Sequence, residues 1–236
     1  LKRPIKGVNY FSIKITRNIN VLKDIVALFF LLKIFKEKKF DIVHTTTPKA
    51  GFLCSIAGII ARVPIRLHTF TGQPWVTLGH PKKFMAMGAD KLIGILNTHC
   101  YADSHSQREF LIKKKIIDHD EISVLGEGSI SGFDTDKFNR LNFNDITVNS
   151  FKNELNIPLN FTIFLFVGRV VIDKGVLDLI KAFEEIAFNI DDIFLLIVGP
   201  REPGSKRIDS EHERVLFCEY TNNPEEYMSI SNILCI

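Results

Sequence analysis

The sequence predicts an α/β protein made of two parallel-sheet units in tandem, and three observations carry that expectation. Short apolar runs rich in β-branched and aromatic residues alternate with longer stretches of helical periodicity. A polar segment, "GSISGFDTDKFNRLNFND" (128–145), breaks the alternation once with turn formers and little period. The formal charge also changes sign across the break. Residues 1–150 hold 22 Lys+Arg against 13 Asp+Glu, a net +9, whereas residues 151–236 hold 8 against 14, a net −6. With 236 residues, 46% of them hydrophobic, the chain can bury a substantial core.

Taken in order, the first strongly apolar run is "IVALFFLL" (25–32), bracketed by Lys23, Asp24 and Lys33. It falls well short of the roughly 20 residues that span a bilayer. A packed helix is the main expectation, with an interfacial position as the alternative because Lys36, Lys38 and Lys39 follow. "FDIVHTT" (40–46), "AGFLCSIAGIIARV" (50–63) and "IRLHTF" (65–70) then form a βαβ unit whose helix is rich in small residues. "HCYADS" (99–104), "SQREFLIKKK" (106–115) and "EISVLG" (121–126) continue the pattern of a parallel, helix-covered sheet.

Past the junction come a helix near 147–156, the strand "FTIFLFVG" (161–168), the helix "GVLDLIKAFEEIAF" (175–188) and the strand "IFLLIVG" (193–199). That is a second βαβ. The chain starts at Leu1 and stops within "NILCI", which reads as a buried strand, so the expectation is a fragment of a longer protein. Domains are placed at 1–133, lacking a first strand, and at 147–236, truncated, with a junction at 134–146. Cys54, Cys100, Cys218 and Cys235 form no C-x-x-C pair and no secretory leader precedes them, which points to a reduced, cytosolic protein. The basic first half suits anionic lipid, a pyrophosphate-bearing substrate or nucleic acid, and equally an ordinary solvated surface. Nucleic acid accounts for neither the acidic second half nor the glycine turns and is set aside.

The chemistry concentrates in "FLFVGRVVIDKG" (164–175). Ligands of parallel α/β sheets bind beyond the carboxyl ends of strands, where Gly168-Arg169 leaves this one. Gly168 allows close backbone approach, Arg169 offers a forked donor for phosphate oxygens, and Lys174 adds a charge beside the next helix start. The pattern fits a diphosphate clamp, and it fits equally a plain strand-to-helix turn whose cations face water. Neither G-x-x-x-x-G-K-[ST] nor G-x-G-x-x-G occurs.

"FVGRVVIDKGVLDLIKAF" followed by "LLIVGP" resembles the hallmark of retaining glycosyltransferases of family 4, whose GT-B fold pairs two Rossmann-like domains. "FDIVHTTTPKAGFLCSIAGIIARVPIRLHTFTGQPW", "YADSHSQREFLI" and "SVLGEGSISGFDTDKF" are similar, in order, to the acceptor-side domain of bacterial capsule and O-antigen sugar transferases. The resemblance covers nearly the whole chain. It implies that Arg169 and Lys174 hold the diphosphate of a nucleotide sugar. It implies that His68 follows an acceptor-domain strand near the donor sugar, where His44 is a further cleft candidate. Gly199 and Pro200, with Gly168, shape the donor pocket, and Gly128 lies in a loop near the cleft, although the family's Asn-Gly is Glu-Gly here.

The implied activity is transfer of a sugar from a UDP- or GDP-linked donor to a cell-envelope glycan with retention of configuration. The nucleotide sugar is substrate, and no cofactor or metal is implied. "DTD" (134–136) mimics a metal motif of the other large transferase fold but falls in the junction, and "DHDE" (118–121) reads as a solvated turn. A lipid-pyrophosphate-linked acceptor and peripheral contact with the inner face of the plasma membrane would suit the basic first half. The family's glycine-rich first loop and its pair of donor-gripping glutamates have no counterpart, so the fragment alone is expected to be inactive. Two other readings stay open: a nucleotide-sugar epimerase of the same architecture, and a non-catalytic nucleotide-sugar-binding module.

Overall fold

Asn20 opens the first helix, α1 (Val21–Lys38). Its side-chain oxygen accepts from the Lys23 N–H at 3.1 Å and its own N–H donates to Asp24 at 3.1 Å, a reciprocal cap. Lys39, at φ 50°, ends the helix in the left-handed region. In this computed structural model, residues 6–16, 20–129, 131–201 and 208–236 are described. α1 buries Ala27, Leu31 and Phe35 against α2 (Pro48–Ile60) and leaves Ile25, Val26, Phe29 and Phe30 exposed. The packed helix at 25–32 therefore packs on one side only. No described helix is long and apolar enough to cross a membrane.

The contacts divide the chain into two units, residues 1–132 and 133–236. In the first, β1 (Ile42–Thr45), β2 (Ile65–Phe70), β3 (His99–Ala102) and β4 (Ile122–Val124) form a parallel sheet in chain order. The crossovers are α2, α3 (Lys82–Leu96) and α4 (His105–Lys113). Each strand is added on the same side of the last, and right-handed crossovers in one direction put every helix on one face. Val43, Phe70, Cys100, Ala102 and Ile122 point into the clusters beneath those helices. Residues of the other face, among them His44, Leu67, Thr69, His99 and Tyr101, belong to none of the hydrophobic clusters. The helix-covered sheet is thus realised on one face here.

Sequence patterning placed no element between 70 and 99, where α3 lies. Its outward side carries Phe84, Met85, Leu92 and Ile95 while Ile93 is fully buried inside, so its apolar periodicity is faint.

In the second unit α5 (Asp145–Glu154) starts at Asn144, whose side chain accepts from the Thr147 N–H at 2.8 Å. β5 (Thr162–Val167), α6 (Val176–Ala187), β6 (Ile193–Val198), β7 (Val215–Cys218), α7 (Pro224–Ile230) and β8 (Ile233–Cys235) follow. The sheet is parallel in the order β7-β6-β5-β8, so chain order reverses at β5 and helices fall on both faces. α6 packs Val176, Ile180 and Phe183 on one side, and α5 and α7 pack Val148 and Ile230 on the other. All six residues of β6 are buried between them, which explains its unbroken apolar run.

"NILCI" supplies the expected strand, β8, which pairs in parallel with β5. The polar stretch after Gly132 is tied to α7. Arg140 Nη1 donates to the Ser229 carbonyl at 2.5 Å, and Lys137 pairs with Glu225 at 3.2 Å. Asp134 of the "DTD" string accepts the Lys137 N–H at 2.9 Å and so shapes a turn.

Candidate functional site

Strand order reverses at β5, the position whose carboxyl end binds ligands in parallel α/β sheets, and "GRVVIDKG" occupies that exit. Pairing between β5 and β6 does not stop at the strand ends. Gly168 N–H donates to the Val198 carbonyl at 2.9 Å, Val170 N–H donates to the Pro200 carbonyl at 3.0 Å, and Val170 bridges Arg201. Gly199 faces Gly168 across this pairing at φ 146°, and a Cβ built there would lie 1.9 Å from the Gly168 carbonyl oxygen. Only glycine lets the two turns meet. Arg169 is therefore held between two anchored neighbours, and Val170 and Val171 beyond it are buried.

A 3₁₀ turn, Ile172–Lys174, follows, with the Lys174 N–H donating to the Val171 carbonyl at 3.1 Å. Gly175, at φ 71°, turns the chain into α6, leaving Lys174 exposed immediately before the helix start. One rim thus gathers Gly168, Arg169, Lys174, Gly199 and Pro200. Sequence reasoning missed Arg201, whose guanidinium lies 4.2 Å from the Phe217 ring centroid and 3.6 Å from Asp209. Its place depends on the β6–β7 register that brings Phe217 beneath it, which no local motif signals.

The first unit has its own carboxyl rim. Gly128, at φ 101°, lies against the loop after β3, where a Cβ would come 2.6 Å from the Asp103 carbonyl oxygen, and Ser129 N–H donates to that oxygen at 2.8 Å. A small pocket there is lined by Thr69, Tyr101, Asp103, Leu125 and Gly128. His44, exposed on the helix-free face, bonds Thr69 Oγ1 at 2.8 Å and lies edge-on to Tyr101. Thr69, Tyr101 and Asp103 also escaped sequence reasoning, since nothing local marks their convergence.

His68 does not stand after its strand, as expected, but inside β2, on the face beneath α2. It is 1% exposed, and Gly51 of α2 comes so close that a Cβ there would lie 2.5 Å from the ring. Nδ1 bonds Thr45 Oγ1 at 2.8 Å and Phe70 packs edge-on. Burial, with a smaller effect from His44, holds its pKa down to about 4, so the ring is neutral at pH 7. The loop after β2 is pinned by Trp75, which stacks on Phe110 and donates to the buried Asp90 carboxylate at 2.6 Å. Burial pushes the Asp90 pKa up to about 6 against the lowering effect of that hydrogen bond.

Comparison with known proteins meets this geometry. Residues 148–236 match the family model described as glycosyl transferases group 1. The chain is 28% identical over 228 residues to the capsular polysaccharide biosynthesis glycosyltransferase CapM of Staphylococcus aureus, covering 94% of this chain and 58% of that protein. It is 30% identical over 197 residues to the Escherichia coli UDP-Gal:alpha-D-GlcNAc-diphosphoundecaprenol alpha-1,3-galactosyltransferase, covering 82% of this chain and 49% of that protein. The chain thus spans about half the length of these curated relatives.

Among solved structures, Anabaena HepE in complex with UDP and glucose aligns with a TM-score of 0.68 at 15% identity, over 93% of this chain and 58% of that one. UDP-GlcNAc 2-epimerase from Neisseria meningitidis, bound to UDP-GlcNAc, aligns at 0.60 with 16% identity, over 93% and 61%. The shared feature is the fold: two parallel-sheet, Rossmann-like units of the GT-B kind.

Two outcomes follow. Gly199→Ala forces the Gly168 turn to move, and should cost roughly 1–3 kcal/mol of stability in urea unfolding. His68 and Asp90 oppose each other with pH. Between about 6.5 and 4 the unfolded chain protonates His68 while the fold resists, so stability falls as pH falls. Over nearly the same window the fold takes up a proton at Asp90 before the unfolded chain does, so stability rises as pH falls. Asp90→Asn, which keeps an acceptor for Trp75, should steepen the acid loss of stability by about 2–3 kcal/mol between pH 6.5 and 4; an unchanged slope in urea titrations would contradict the buried carboxyl.

Proposed function

We propose that this chain is part of a retaining, family 4 glycosyltransferase, which moves a sugar from a UDP- or GDP-linked donor to a cell-envelope glycan. The observation that carries the reading is the rim at the exit of β5, where the Gly168–Gly199 contact fixes Arg169 and a short turn delivers Lys174. The match of residues 148–236 to glycosyl transferases group 1 supports it, as does similarity to a capsular polysaccharide transferase along nearly the whole chain.

In this reading Arg169 offers forked donors to the diphosphate and Lys174 a second charge. As the bond from the sugar's anomeric carbon to the diphosphate breaks, negative charge grows on the leaving group. Prearranged cations stabilise it more in the transition state than in the ground state. The attacking acceptor hydroxyl approaches the same face, and its proton passes to a leaving phosphate oxygen. No protein nucleophile is then required. Gly168, Gly199 and Pro200 leave room for the nucleoside. His68, neutral and enclosed, supports the first rim as a positioning residue through Thr45, while His44 and Gly128 border it.

A diphosphate-lipid-linked acceptor is drawn from the relative that acts on a diphosphoundecaprenol substrate, and UDP from the neighbour that holds it. The reaction needs no cofactor. It belongs at the cytoplasmic face of the plasma membrane, in peripheral contact with it. A second reading, an epimerase, is favoured only by the fold shared with UDP-GlcNAc 2-epimerase.

The test is release of nucleoside diphosphate by the whole protein, given UDP- and GDP-sugars with and without a lipid-diphosphate glycan. Acceptor-dependent release is expected, and Arg169→Ala or Lys174→Ala should each lower kcat/KM at least about tenfold, or about 1.4 kcal/mol. Unchanged rates in both variants would remove the clamp. Isomerised donor sugar formed without acceptor would favour the epimerase.

A further inference from the structure

We propose that Arg201 is the platform on which the donor's nucleobase stacks, the contact by which this site tells a nucleotide from a bare diphosphate. The inference rests on the donor reading above and adds a residue to it. Arg201 lies directly beyond Gly199 and Pro200, on the stretch after β6 that stays paired to the exit of β5 through the Val170 N–H and the Val170–Arg201 bridge. A nucleoside seated beside Gly199 and Pro200 therefore meets Arg201 next.

Three contacts order the side chain. Its guanidinium carbon lies 4.2 Å from the centroid of the Phe217 ring, within the range of a stacked cation–π contact. Nη1 donates to the Ile208 carbonyl at 3.3 Å, and Nη2 lies 3.6 Å from Asp209. Ile208 is fully buried in the core beneath α6 and Phe217 packs against that core, so the supports are fixed ones. With Phe217 under one face, the 37% of the side chain that stays exposed is its outward side.

Chemistry selects the occupant. The guanidinium already directs donors inward, to a carbonyl and a carboxylate, and a phosphate would have to draw them away from Asp209. What it presents outward is a planar, delocalised and weakly hydrated face, which suits the π-face of a heterocyclic base. A base lying there completes a three-layer stack of Phe217, Arg201 and base, with the cation in the middle. Because the platform is ordered before the ligand arrives, little side-chain freedom is lost on binding. Every base has such a face, so Arg201 favours UDP and GDP alike over a diphosphate without a nucleoside.

The experiment is calorimetric titration of the whole protein with UDP, GDP and inorganic pyrophosphate. Arg201→Ala should weaken both nucleotides at least about tenfold, with no loss for pyrophosphate. Arg201→Lys keeps the charge without the plane and should lose most of the same affinity. Arg169→Ala should weaken all three probes. Arg201→Leu, which keeps an apolar cover over Phe217, should repeat the alanine result, and circular dichroism with melting checks the fold of each variant.

Unchanged nucleotide affinity in Arg201→Ala, an equal loss for pyrophosphate, or full rescue by lysine overturns the proposal. Nucleotide binding that survives Arg169→Ala and Lys174→Ala but falls with Arg201→Ala would sink the diphosphate clamp and leave the stacking contact standing. A wild type that binds neither nucleotide overturns both.

Discussion

The contact between Gly168 and Gly199 is the constraint on which the proposed site depends. Two parallel strands normally diverge into their crossover helices once the sheet ends. Here the backbones stay paired for two further residues because neither carries a side chain between them, and the Val170 N–H still finds the Pro200 carbonyl. A rigid shelf results. Arg169 and Arg201 flank it, and the chain needs only one 3₁₀ turn and Gly175 to bring Lys174 to the start of α6. A diphosphate needs donors fixed before it arrives, since ordering a flexible loop around it would consume binding energy.

The two units use parallel strands differently. In the first, strands are added in one direction, every described crossover helix lies on one face, and the other face presents His44, Thr69, His99 and Tyr101. In the second, the order reverses at β5 and both faces are covered, so the exit of β5 is the topological switch point of the sheet. The residues with the most pronounced phosphate-binding chemistry stand at that reversal. Buried histidine and aspartate in the first unit have a separate role: His68 locks α2 to β2, and Asp90 locks Trp75 and with it the loop after β2.

Much of this was legible in the sequence. The alternation from 40 to 70 and from 161 to 199 marked both βαβ units, because parallel strands buried on their faces are continuous apolar runs. Gly168, Arg169 and Lys174 could be placed because a glycine-cation pair directly after such a run has few other positions to occupy. α3 was not legible, since an apolar outward stripe erases the period by which a helix is recognised. β7 was missed because it is four residues long and half-buried throughout. His68 was misplaced for a geometric reason: strand end and strand interior differ by two residues, and Gly51 above its ring is seventeen positions away in the chain. Arg201 over Phe217 is likewise a matter of register, which local sequence does not encode.

The central claim is that the exit of β5 grips a nucleoside diphosphate. A crystal structure of the whole protein soaked with UDP tests it most directly. The account predicts both phosphates within hydrogen-bond reach of the Arg169 guanidinium and the Lys174 ammonium, with the nucleoside beside Gly199 and Pro200. A nucleotide lodged elsewhere, with those two side chains turned to solvent, would contradict it.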